Sequence, residues 1–234
     1  PLTAEEREYR SQHNLEEITS TQSKVFLGRA AHSSMPQMGD SAIVKMMDYL
    51  LQIPDSTMIM DIEGGINFNT VPSHAFLEVD IGATITSTLT KRICAIYRVL
   101  KSLSNEFVNH AEEGFLPSHT TLIIGLIRAT PTHVLIQGNC RIPPRISQET
   151  YDGWMKQLKN VCDENQAEFA IADYKKAFRT SADSVLVTEA RNAARDLGLD
   201  QDLHTQASTN ESSLLSRVGV DCLCFGPGVR EGNI

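Results

Sequence analysis

The chain has 234 residues, 41% hydrophobic and 21% charged, which is room for one large domain or two modest ones and excludes a disordered or fibrous chain. Lys and Arg number 21 against 29 Asp and Glu, a formal charge of -8 with no basic cluster, so a nucleic-acid partner held through phosphates, an RNA-binding split βαβ domain included, is excluded. Apolar runs such as Leu122 to Ile127 fall far short of the ~20 residues of a membrane span, and the polar, Glu-rich residues 1–20 lack the apolar region of a signal peptide.

Residues 1–20 read as one polar helix, with Thr3 as N-cap and Glu6 completing a capping box. Lys24 to Leu27 carries strand propensity and runs into the small-residue loop from Gly28 to Ser34 before Pro36. From Asp40, expected as N-cap, Ile43, Met46, Met47, Leu50 and Leu51 recur at helical spacing until Pro54. Thr57 to Ile62 reads as a strand leading to Gly64-Gly65. After Pro72 the next strand puts Ala75, Leu77, Val79 and Ile81 on one buried face. Leu89, Ile93, Ile96, Leu100, Leu103 and Phe107 mark a long amphipathic helix that breaks at Gly114 and Pro117.

A second cycle then begins. Thr121 to Arg128 and Val134 to Arg141 form a hairpin, Ser147 caps a helix bearing Tyr151, Trp154, Met155, Leu158 and Val161, and Glu168 to Tyr174 is expected as a strand. The turn Val71-Pro72-Ser73-His74 resembles Thr130-Pro131-Thr132-His133, each entering an alternating strand, so the order suggests a duplicated split βαβ unit. After Ser181 the grammar changes: a helix through Ala190, Ala193, Ala194 and Leu197 stops at Gly198. Ser208 and Glu211 have capping-box spacing for another helix, which Gly219 ends. The apolar run Val220 to Phe225 reads as a strand covered on both faces, followed by Gly226-Pro227-Gly228, and ligands gather at the carboxyl ends of such strands. A domain boundary is therefore expected near residue 178.

The residue types that could carry chemistry are His32 in its small-residue loop, the turn Asn67-Phe68-Asn69-Thr70, Arg141 at a strand end, and Ser208-Thr209-Asn210. Cys222 and Cys224 alternate along the last run, where two small buried residues fit better than a metal pair. Cys94, Cys140 and Cys162 bring the cysteines to five, an odd and scattered set that fits a reducing cytoplasm.

Three segments in order resemble the family of acetylornithine deacetylase, succinyl-diaminopimelate desuccinylase, aminoacylase and glutamate carboxypeptidase. They are Gly28-Arg29-Ala30-Ala31-His32-Ser33-Ser34-Met35-Pro36 with Gly39, Ala42 and Ile43; Gly64-Gly65 with Asn69, Val71-Pro72 and the strand through Asp80; and Ser208-Thr209-Asn210 with Gly219-Val220 and Gly226-Pro227-Gly228. The resemblance implies an α/β chain: a ferredoxin-like split βαβ lid, duplicated in outline, and the C-terminal part of a zinc-exopeptidase α/β catalytic domain. Residues 1–22 would be an end piece of the catalytic domain, 23–178 the lid and dimerisation domain, and 179–234 the C-terminal catalytic segment.

The implied activity is hydrolysis of the amide bond of an N-acyl amino acid or small peptide. In that family paired zinc ions activate water, and the lid often dimerises. His32 matches the lid histidine that stabilises the developing oxyanion. Asn69 matches a substrate-contacting asparagine, and Ser208, Thr209, Asn210 and Gly226 match substrate-binding turns. The family's carboxylate-clamping arginine falls at Gly82, and Arg141, ending the equivalent strand of the second cycle, is the expected replacement. Asn210 stands where many members have aspartate. The family's metal ligands lie mostly in a segment before the lid and after the Gly-Pro-Gly turn, so no metal ligand is assigned here and a truncated chain is expected. The competing expectation is a non-catalytic ferredoxin-like module that binds a small molecule or dimerises.

Overall fold

A computed structural model describes residues 4–13, 22–54, 56–81, 87–115, 117–205 and 210–225. Among the described residues seven strands form, β1 (Gln22–Leu27), β2 (Ala31–His32), β3 (Met58–Gly64), β4 (Thr70–Val71), β5 (His74–Asp80), β6 (Thr121–Ala129) and β7 (Val134–Arg141). The helices are α1 (Ala4–Gln12), α2 (Ala42–Leu50), α3 (Thr88–Phe107), α4 (Gln148–Glu164), α5 (Val185–Asp196) and α6 (Ser212–Arg217). Five strands make one antiparallel sheet in the order β1-β5-β3-β6-β7, and β2 pairs with β4 in a separate ribbon.

The expected split unit is present. β1 and β3 are joined through α2 and run parallel, with β5 inserted antiparallel between them. The alternation of β5 sends Ala75, Leu77 and Val79 to the helix-covered face, where Leu77 is fully buried with Ile43, Met46, Met47 and Leu50 of α2 and Ile93, Cys94 and Tyr97 of α3. Fully burying a side chain of this size contributes about 1.5–3 kcal/mol, so this seam is the main hydrophobic tie of the first cycle. The second cycle adds its hairpin to the outer edge of β3, and its own core lies between α3 and α4: Leu103, Phe107, Ile146, Tyr151 and Trp154. There the Phe107 and Trp154 rings stand 4.5 Å apart, and the Trp154 indole N–H donates to Glu106 at 2.7 Å.

Several boundaries differ from the sequence expectation. The cap of α2 is Ser41, whose hydroxyl accepts from the Val44 N–H, because Asp40 is engaged in a backbone bridge to Arg29 and an ion pair with Lys45. Ser87, Ser147 and Ser184 cap α3, α4 and α5 in the same way. The first helix ends at Gln12, and Thr3 and residues 14–21 lie outside the described residues.

Glu168 to Tyr174 is not a strand: no sheet edge receives it, and it instead lays Phe169 and Ile171 along α4 and stacks Tyr174 on Tyr151 at 4.5 Å. The proposed duplication therefore lacks its closing strand. Val220 to Phe225 is also outside any ladder. Thr180 brackets it, its hydroxyl donating to the Cys222 carbonyl at 2.5 Å and lying 3.3 Å from the Cys222 N–H, while Val220 and Phe225 are exposed. Strand propensity builds a ladder only where a partner edge stands beside it.

Candidate active-site lid

The ribbon holds the first two sequence candidates side by side. His32 on β2 faces Thr70 on β4 across the ladder, and the Ser33 N–H donates to the Asn69 carbonyl at 2.9 Å. Asn69 ends an Asx-type turn in which its own N–H donates to Asn67 Oδ1 at 3.2 Å. The imidazole is exposed and its tautomer follows from its neighbours. Nδ1 lies 3.2 Å from the Ser34 N–H, which can only donate, and 2.8 Å from the Ser34 hydroxyl, so Nδ1 accepts and the neutral ring carries its proton on Nε2.

Arg141 reaches this ribbon from the second cycle. It ends β7 opposite Thr121, and its Nη2 donates to the Ser33 hydroxyl at 2.8 Å. Ser33 is 1% exposed, so this bond pins the guanidinium to the strand that carries His32. Burial pushes the Arg141 guanidinium below the ordinary arginine range, and among the described residues no carboxylate lies within ion-pair distance of it. A half-buried, uncompensated guanidinium favours a carboxylate ligand.

What seats the ribbon on the hairpin is a glycine contact. Gly125 lies at the bulge of β6, between Ile124 and Leu126, and a Cβ there would meet Asn67 O at 2.5 Å and Phe68 Cα at 2.7 Å. Gly65, with φ of +72°, approaches the Gly125 carbonyl so closely that its own Cβ would stand 1.9 Å from that oxygen. The 65–69 loop thus rests backbone to backbone on β6 and carries Asn69 beside His32.

The structure brings together His32, Asn69 and Arg141, and it adds Ser33 and Gly125, which sequence reasoning missed. A serine next to a candidate histidine and a lone glycine inside an apolar strand were the available signals. Asn210 stands apart: its amide donates to Cys224 Sγ at 3.0 Å and its Oδ1 accepts from the Ser212 N–H at 2.9 Å. Ser208, Thr209, Gly226 and Gly82 lie outside the described residues. Two concavities among the described residues, one beside His110 and Arg145 and one between α4 and Phe169, touch neither His32, Asn69 nor Arg141. No three His, Cys, Asp or Glu side chains converge among the described residues, so these residues do not fit a metal centre of their own. No helix among them is long and apolar enough to cross a membrane.

Residues 15–108 match the model of a peptidase dimerisation domain. The match is in line with the aminoacylase and carboxypeptidase-like family that the sequence hallmarks resemble. It is 22% identical over 209 residues to a probable succinyl-diaminopimelate desuccinylase of Staphylococcus aureus strain Mu50, covering 86% of this chain and 46% of that protein. The corresponding protein of strain MRSA252 is 23% identical over 208 residues, with the same coverage. Among solved structures, aminoacylhistidine dipeptidase from Vibrio alginolyticus superposes with a TM-score of 0.56 at 14% identity, over 86% of this chain and 51% of the other, which supports the fold. The chain spans about half the length of the curated relatives it matches.

Proposed function

We propose that the whole protein is a hydrolase that cleaves the amide bond of an N-acyl amino acid or a small peptide. The observation that carries this is the meeting of His32, Asn69 and Arg141 on one ribbon-and-hairpin surface, pinned by Ser33. The Nε2–H of His32 donates to the oxyanion that develops on the attacked carbonyl, its ring oriented by Ser34. The Asn69 amide orients the substrate's polar backbone, and Arg141 binds its carboxylate. Ser208, Thr209, Asn210 and Gly226 contribute a further substrate-binding turn.

The relatives' names, a desuccinylase and a dipeptidase, fit this substrate class. Paired zinc ions, which the family resemblance implies, supply an activated water when bound; the described residues provide no such donor set, and the roles given to His32, Asn69 and Arg141 stand apart from it. The proposed organisation is a catalytic-domain end piece over 1–22, the lid over 23–178 and catalytic-domain sequence over 179–234, working as a homodimer in the cytoplasm, where five free cysteines are stable.

The test is an assay of the complete gene product on a panel of dipeptides and N-acyl amino acids, before and after chelation and with zinc restored. Hydrolysis that chelation abolishes and zinc restores supports the proposal. A metal-loaded, folded protein that binds these compounds without cleaving them would establish a binding module instead.

A further inference from the structure

The loop after α3 holds a carboxylate that the second cycle buries. Glu112 is 8% exposed, and its two oxygens face different parts of the chain. Oε2 accepts from the Arg145 N–H at 2.8 Å, at the approach to α4, and Oε1 lies 3.3 Å from Nη2 of Arg179. The Arg179 guanidinium also lies 4.9 Å from the centre of the Phe115 ring, and its Nη2 donates to the Glu113 carbonyl at 3.5 Å. The loop turns beneath it at Gly114, where φ is +84°. Thr205 reaches the same turn, its hydroxyl donating to the Gly114 carbonyl at 2.6 Å.

The strip 175–180, which carries Arg179, belongs to no helix or ladder. Side-chain bonds on two flanks therefore set its course. On the flank away from Glu112, the fully buried Ser213 of α6 donates to the Lys176 carbonyl at 2.6 Å, Lys175 lies 4.0 Å from Glu211, and the Thr180 hydroxyl holds Cys222. The strip is thus tied to the second-cycle core on one side and to the C-terminal segment on the other.

The partners of the ion pair are unequal. The Glu112 side chain is 10% exposed and that of Arg179 is 52% exposed. A buried carboxylate that loses a charged partner keeps its desolvation cost, while a half-exposed guanidinium is hydrated as it leaves. The pair opens from the Arg179 side, with Glu112 still accepting from Arg145.

We propose that Glu112, Phe115 and Arg179 form a latch on the strip 175–180. While it is shut, the second-cycle core and the C-terminal segment move as one body; when Arg179 is released, they turn about the strip, whose φ and ψ change without breaking a ladder. The latch needs no substrate, so it stands or falls apart from the hydrolase reading.

Two measurements on the complete gene product test it. Trypsin must take an arginine side chain into its own pocket, so limited digestion after Arg179 reads the released form. Glutamine has one oxygen for the two donors that Glu112 serves, so Glu112→Gln should speed that cut about tenfold, and Phe115→Leu about threefold. Cutting after Lys159, on α4, should stay within about twofold; an equal rise at both sites would mean general loosening of the fold and overturns the latch. The second measurement is the distance distribution between spin labels at Gln137→Cys on β7 and Glu189→Cys on α5, with the exposed Cys224 replaced by serine. It should be narrow in the otherwise wild-type protein and broad with Glu112→Gln or with Arg179→Gln, which leaves the buried carboxylate its bond to Arg145. A distribution that neither substitution broadens, or an unchanged rate of cutting after Arg179, overturns the proposal.

Discussion

The two strand-and-helix cycles of this chain use the same pattern for different ends. In the first, β1, α2, β3 and β5 meet at one apolar seam, where Ile43, Met46, Ile62 and Leu77 are 0% exposed. In the second, β7 turns Asn139 and Arg141 away from the core, and the strand expected after α4 never joins the sheet. One cycle is built for stability, and the other spends part of its surface on buried polar atoms that its own residues leave unpaired. The difference teaches where a substitution costs folding and where it costs recognition.

The sharpest way to break that contrast is a truncation in each cycle. Leu77→Ala empties the seam between α2 and β5 and should cost about 2–5 kcal/mol, seen as a lower denaturation midpoint with unchanged slope. Ile171→Ala, on the extended segment where the residue is 49% exposed, should stay within ~0.5 kcal/mol of the wild type. Equal losses would mean that the segment after α4 is as firmly packed as the first-cycle core.

Next in size is the effect of His32→Ala, expected to lower kcat about a hundredfold with little change in denaturation midpoint, because the ring is exposed and its bonds are local. Arg141→Lys should follow, raising KM about tenfold for a carboxylate substrate, since lysine keeps the charge and loses the planar fork. If Arg141→Lys lowered kcat as His32→Ala does, with KM fixed, the division between a reacting group and a binding group would fail.

Much of the first cycle was legible because period-2 and period-3.6 patterns are imposed by burial on one face, and Ala75-Leu77-Val79 and Ile43-Met46-Met47-Leu50 obey them. The serine caps of α3, α4 and α5 are fixed by local hydrogen bonding, and Ser147 shows that a short stretch suffices to read one. Asp40 shows the limit: it is an equally good cap by type, and only its bridge to Arg29, a partner set by tertiary folding, leaves the role to Ser41. Glu168 to Tyr174 failed for the same reason, since strand propensity says nothing of whether an edge is open. In the site, His32 and Asn69 were visible through their turns. The contact from Ser33 to Arg141 spans 108 positions, and no local pattern encodes such a meeting.

The smallest expected effect separates the two cycles by a thiol. Burial pushes the Cys140 thiol up to about 12 from an ordinary 9.0, whereas Cys224 is exposed on the C-terminal segment. A folded-state value above the unfolded one means the neutral thiol is favoured by folding. The stability so gained is complete below pH 9 and is lost as the pH climbs from 9.0 towards 12. In native protein at pH 8 a maleimide should label Cys224 within minutes and leave Cys140 unmodified, as mass spectrometry of the digested product would show. Raising the pH to 10 should bring Cys140 no closer to reaction unless the hairpin opens. Labelling of both thiols at one rate would mean that β7 readily leaves the core between α3 and α4, and the second cycle would then have no rigid face on which to hold Arg141.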